Sequence, residues 1–131
     1  MPHVITQVEP GTSEQQKQNL AAAFTKAVTK AFGATDPAFT AANVSVAVEE
    51  VSSKTPNVVV KLWPGRPDSQ IHQIADDFTK AMTKTLGGDE KFSVTFKEIA
   101  PEDWISKVYD PEIIGKPGTL YKKPGYDPKT L

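Results

Sequence analysis

The chain repeats itself, and that duplication limits the folds open to it more than any other feature. With Pro2-His3-Val4-Ile5 set on Pro56-Asn57-Val58-Val59, Pro10-Gly11 falls on Pro64-Gly65 and Phe24-Thr25-Lys26-Ala27 on Phe78-Thr79-Lys80-Ala81. Thr29-Lys30 then meets Thr83-Lys84, and Gly33 meets Gly87. From Pro2 to Gly33 about 13 of 32 positions are identical, far above chance. Past Gly33 the first copy carries about six extra residues, within Ala34 to Ala42. The register then resumes, with Val44-Ser45-Val46 on Phe92-Ser93-Val94 and Glu50-Val51 on Glu98-Ile99.

Each copy reads β-α-β. Residues 3–9 and 57–63 are rich in Val and Ile and stop at Pro-Gly, as strand ends do. Thr12, Ser13 and Asp68 can cap the helices that follow, and Gln15 or Gln16 is spaced to complete a capping box. Leu20, Phe24, Ala27, Val28 and Ala31 recur at helical spacing, as do Ile71, Ile74, Ala75, Phe78, Met82 and Leu86. Gly33 and Gly87 stand where a helix end favours positive φ. Residues 43–51 and 91–99 alternate and are rich in β-branched residues, closing each copy with a second strand. A strand–helix–strand unit of this length makes a right-handed crossover between parallel strands. The expected fold is α+β, a two-layer sandwich: one domain of two fused repeats (1–51 and 56–99) forming a four-stranded sheet with both helices on one face. Ser52 to Thr55 link the copies. Residues 100–131 form a tail whose Tyr109, Ile113, Ile114, Leu120, Tyr121 and Tyr126 favour an ordered wrap over a loose end. Pro101 suits the first position of a short helical turn leading to Trp104. The uncovered sheet face implies an oligomer, a trimer of these two-repeat chains, with a compact monomer as the alternative.

Bulk properties narrow the chemistry. The chain has no cysteine, so disulfides, thiol nucleophiles and thiolate metal sites are out. A net charge of −1 offers no basic field for nucleic acid or anionic membrane. No apolar run approaches a bilayer span, and the first residues lack the pattern of a signal peptide, so the expected compartment is the cytoplasm. Neither a glycine-rich phosphate loop nor a histidine-based metal motif is present, which points to chemistry without metal or cofactor.

Pro2 is the residue that offers a reaction. Its small side chain permits removal of Met1, which leaves a cyclic secondary amine as the chain's first group. An α-amino group titrates near 7.7–8.0, and an apolar or cationic setting lowers that value toward neutrality. A group titrating near working pH can carry a proton in both directions. Most Met-Pro starts are merely starts, but here Pro2 leads directly into a strand that would hold its nitrogen. Pro56, its counterpart, has its nitrogen in an amide and cannot be a base, so one competent site and one vestigial site are expected per chain.

Together these residues resemble the tautomerase superfamily, in its 4-oxalocrotonate tautomerase branch. The resemblance rests on the Met-Pro start, the duplicated unit with its Pro-Gly break, and the second copy's Val59-Val60-Lys61-Leu62-Trp63-Pro64-Gly65-Arg66. Ile99-Ala100-Pro101-Glu102-Asp103-Trp104, Lys107-Val108-Tyr109 and Lys122-Lys123-Pro124-Gly125-Tyr126 are similar to small bacterial tautomerases that end in this way. The resemblance implies a cofactor-independent keto–enol isomerase acting on a 2-hydroxydienoate or arylenolpyruvate carboxylate, with Pro2 as base and acid. The family's first substrate arginine falls on Thr12 and on Arg66; the second falls on Ser45 and Ser93 and is absent. The aromatic wall falls on Trp104. Candidate cations for a substrate carboxylate are Arg66, if an oligomer brings it near, Lys122 and Lys123 on the tail, and His3 beside the proline. His3 alternates away from Pro2 and Val4, and packing is its plainer role. Glu49, Glu50 and Glu98 are the carboxylates nearest a plausible pocket. Two other readings stay open: a hydrolytic dehalogenase, hydratase or decarboxylase on the same scaffold, and a non-catalytic binding or assembly module.

Overall fold

The computed structural model describes residues 1–52, 56–87 and 92–128. Each copy forms the expected unit: β1 (His3–Val8), α1 (Glu14–Gly33) and β2 (Ser45–Glu50), then β3 (Asn57–Leu62), α2 (Asp68–Leu86) and β4 (Ser93–Glu98). Within each copy the strands are parallel, and β1 meets β3 antiparallel, with His3 opposite Lys61 and Gln7 opposite Asn57. The two copies are therefore joined through their first strands about a pseudo-twofold axis. The linker lies, except for Ser52, outside the described residues.

Alternation decides the faces. Val4, Val8, Val46, Val48, Val58, Val60 and Leu62 turn toward the helices and are buried with Leu20, Phe24, Val28, Ile74, Phe78 and Met82. Phe24 and Phe78, equivalent residues of the two copies, meet at the centre with ring centroids 4.2 Å apart. Truncating either would cost about 3–5 kcal/mol, the usual penalty for removing a buried phenylalanine ring. Ser13 caps α1 in a complete box with Gln16. Asp68 is instead the first helical residue of α2, behind Pro67, which offers no side-chain cap.

Two expectations need correction. The sheet has five strands, ordered β4-β3-β1-β2-β5, because tail residues Leu120–Lys122 (β5) pair antiparallel with β2. Gly87 has the expected positive φ of 74°, but Gly33 has not. The carbonyl of Phe32 accepts from the N–H groups of Thr35 and Asp36, so α1 runs on through right-handed turns into the insertion.

The rest of the tail crosses the end of the sheet. Pro101–Asp103 form a 3₁₀ turn, and Ile105–Ile114 a π-helix whose wider turns accommodate Pro111, a residue that would crowd an α-helix. Trp104, Val108 and Ile113 are buried there in a second cluster, with Met1, Trp63, Ile99, Tyr109 and Leu120 packed against it. Among the described residues no helix is long and apolar enough to cross a membrane, and no group of three or more His, Asp or Glu could hold a metal ion.

Candidate active site at the chain's first residues

Antiparallel pairing of β1 with β3 sets the start of the chain against the end of β3. With His3 opposite Lys61, Pro2 and Met1 flank Leu62 and Trp63. The Ile99 N–H donates to the Leu62 carbonyl at 2.7 Å, which brings the residues after β4 to the same corner. Pro2 is buried, its carbonyl accepting from the Ser45 N–H at 3.2 Å. A cavity of ≈ 30 Å³ remains there, lined by Met1 and Pro2 with Phe32, Phe39, Leu62, Trp63 and Arg66. That is about one water's share of space. With Met1 in place, its own residue fills the corner.

Arg66 reaches this corner within a single chain, so no oligomer is needed to deliver it. Gly65, with φ of 104°, makes the turn after β3 that a residue with a Cβ would resist. The guanidinium lies 4.2 Å from the Phe32 ring centroid and 5.4 Å from that of Phe39. It also donates to Asp36 Oδ2 at 3.4 Å. The first residue's amine is pushed down to about 5, by burial first and the Arg66 charge second, with the Asp36 carboxylate opposing. The Met1 amine is therefore neutral at pH 7.

Trp104 is buried at the same end, edge-to-face with Trp63 at 6.5 Å between ring centroids. Its indole N–H donates to Tyr126 Oη at 3.0 Å, so the tail fixes the ring. Burial pushes the Tyr126 hydroxyl up to about 12 and keeps it protonated. The Trp63 indole nitrogen is buried without a hydrogen-bond partner among the described residues.

The other candidate cations are engaged elsewhere. Lys122 donates to the carbonyls of Ala41, Val44 and Lys123, fastening β5 to the first copy. Lys123 is exposed. His3 is fully buried, its Nδ1 2.7 Å from Ser45 Oγ, and is pushed down to about 4 by burial and the nearby Lys61 charge. It is neutral at pH 7 and supplies no cation. Glu50 pairs with Lys17 and Glu49 with Lys116 at the far end of β1 and β2, while Glu98 is exposed.

The second copy's equivalent corner differs as its sequence requires. A cavity of ≈ 360 Å³ there is lined by Pro56 and Leu86, with Glu9 where the first site has Trp63 and Thr12 where it has Arg66. A larger groove of ≈ 630 Å³ between α1 and β5, floored by Ala21, Ala22 and Thr25, includes neither proline. Asp36, Phe39 and Tyr126 escaped the sequence reading as site residues. The signal for the first two was the insertion itself, present in one copy only.

Comparison with known proteins bears on the family and the fold. The family model described as "Tautomerase enzyme" matches residues 2–55. The chain is 40% identical over 74 residues to a protein named Tautomerase PptA from Cronobacter sakazakii, covering 55% of this chain and 97% of that protein. A fused 4-OT solved as a symmetric trimer superposes with a TM-score of 0.59 at 26% identity, covering 76% of this chain and 89% of that one. A macrophage migration inhibitory factor-like protein from Entamoeba histolytica shares the fold at a TM-score of 0.67 and 14% identity, over 79% and 92% of the two chains.

Proposed function

Because the chain belongs to the tautomerase family, we propose that it is a cofactor-independent keto–enol isomerase whose base and acid is the Pro2 nitrogen, freed by loss of Met1. One observation carries this reading: the first residues of the chain are buried in an aromatic corner beside the Arg66 guanidinium. Loss of Met1 frees the space its residue fills and leaves a secondary amine in it. Burial and the Arg66 charge disfavour the ammonium there, as they do for the Met1 amine.

The substrate class is an enol bearing a carboxylate, a 2-hydroxydienoate or arylenolpyruvate. Neutral Pro2 nitrogen takes the enol hydroxyl proton as the C–O bond becomes a carbonyl. The C=C electron pair then takes a proton from the Pro2 ammonium at carbon, and the amine is regenerated. Arg66 binds the substrate carboxylate and so orients the enol at the nitrogen. Trp63 and Trp104 wall the site and keep water from the charged intermediate.

The experiment is ketonisation of phenylenolpyruvate by protein whose intact mass shows Met1 removed, alongside Pro2→Ala. The reading predicts a loss of at least about 100-fold in kcat/KM, the usual scale of a removed general base. Equal rates overturn it.

The same reading takes the chain to be a homotrimer. The sheet face away from the helices is covered by the tail over His3, Ser45 and Ala47 but uncovered beyond them, with Ile5 and Val59 half-buried and Ser93, Thr95 and Lys97 exposed. A solution mass of three 14.2 kDa chains supports this, and a single-chain mass refutes it.

A further inference from the structure

We propose that Asp36 and Phe39, both on the first copy's insertion, are positioning residues that hold Arg66 in the corner it shares with Pro2 and thereby set selection for carboxylate-bearing enols. The proposal rests on the function given above and extends it to two residues that act through Arg66, one of which, Phe39, also lines the corner cavity.

The insertion is built as a clamp. Asp36 Oδ1 accepts from the Ala38 N–H at 3.2 Å, and the Phe39 N–H donates to the Asp36 carbonyl at 3.0 Å. That turn stands Phe39 edge-to-face against Phe32, ring centroids 5.3 Å apart. Its two ends are tied down independently: Gln70 of α2 donates to Thr35 Oγ1 at 2.7 Å, and the Gly125 N–H donates to the Ala42 carbonyl at 2.8 Å. A β-carbon at Gly125 would come within 3.0 Å of Ala42 Cβ, so the tail sits close on this loop.

Arg66 enters the clamp from the other copy. Two rings and one carboxylate restrict a side chain that would otherwise sample many rotamers, and Asp36 takes only one of its five N–H donors. Among the described residues the remaining donors have no partner, which leaves them to a substrate carboxylate. The internal control is the corner at Pro56, where the insertion is missing and Thr12 replaces the arginine. Insertion and arginine occur together at the corner with the free nitrogen and are both absent from the other.

The charged groups acting on the Met1 amine, one residue ahead of the Pro2 nitrogen, are Arg66, from the loop after β3, and Asp36, from the insertion. From the π-helix and tail the neighbouring titratable groups are Tyr109 and Tyr126, the latter engaged with Trp104. Asp36 opposes Arg66 and raises the amine's pKa, so neutralising it has a signature that loosened packing lacks.

The test compares Asp36→Asn, Phe39→Leu and their double variant in the processed full-length chain, with phenylenolpyruvate as substrate. Leucine keeps the apolar volume of position 39 and removes the ring face. The double variant is expected to raise KM about fivefold to tenfold with kcat within about twofold. Asp36→Asn alone moves the acidic limb of kcat/KM to lower pH, Phe39→Leu leaves it in place, and Asp36→Glu restores it. A parental KM and an unmoved limb in the double variant, beside a raised KM in Arg66→Leu, overturn the positioning role and leave the base reading standing. Full turnover by Pro2→Ala removes both.

Discussion

Replacing Arg66 with leucine separates the two tasks assigned to its guanidinium. The side chain is mostly buried over Phe32, so leucine keeps much of the apolar contact while deleting the charge. A charge-assisted hydrogen bond to a carboxylate contributes about 1.5–3 kcal/mol, which corresponds to about a 10- to 150-fold fall in kcat/KM for phenylenolpyruvate at pH 7. For an aryl enol without a carboxylate the same variant stays within about threefold of the parent, because no such bond is lost. The pH profile moves as well. Arg66 is the second cause, after burial, of the low pKa of the amine in this corner, so its removal raises that pKa and shifts the acidic limb upward. Burial remains, and the limb stays below the ordinary α-amine range. Stability changes modestly: the two cation–π contacts, over Phe32 and Phe39, contribute about 0.5–1 kcal/mol each, a shift of about 8 °C or less in Tm. Stopped-flow ketonisation of both substrates from pH 5 to 9 measures all of this. Equal losses for the two substrates, or a limb that stays in place, refute the assignment.

The remaining predictions concern the sheet and the second copy. His3 is held near pKa 4 in the fold against 6.5 unfolded, so its contribution to stability is complete above pH 6.5 and disappears as pH falls through about 4. The difference is about 3 kcal/mol at most, and urea unfolding at pH 7.5 and 4 should show this acid loss in the parent and a smaller one in His3→Gln. Pro56→Ala should leave kcat/KM within about twofold, because the Pro56 nitrogen is acylated; a tenfold loss would mean that the second corner takes part.

Much of this was legible because duplication tests itself. Two copies sharing phenylalanines at one helical phase located both helices and their buried faces, and Ser13 with Gln16 marked the start of α1. What escaped depends on contacts between copies. Nothing in the periodicity says that β1 and β3 run antiparallel, and without that pairing Arg66 has no reason to lie near Pro2. The short β5 is below the length at which alternation can be read, and a helix containing Pro111 does not follow the 3.6-residue rule. His3 and Lys122 looked like available cations because a sequence does not reveal burial or carbonyl partners. The insertion was visible only as extra length, yet it supplies two of the three first-copy groups that hold Arg66, Asp36 and Phe39, the third being Phe32 of α1.

Titration of the Pro2 nitrogen itself bears most directly on the whole account. In chain whose mass confirms loss of Met1, ¹⁵N-proline NMR across pH 4–10 should give a pKa clearly below the ordinary 7.7–8.0, and the acidic limb of kcat/KM should fall at the same pH. A nitrogen that titrates at 8 or above, or a native chain that keeps Met1 and still turns over substrate, contradicts it.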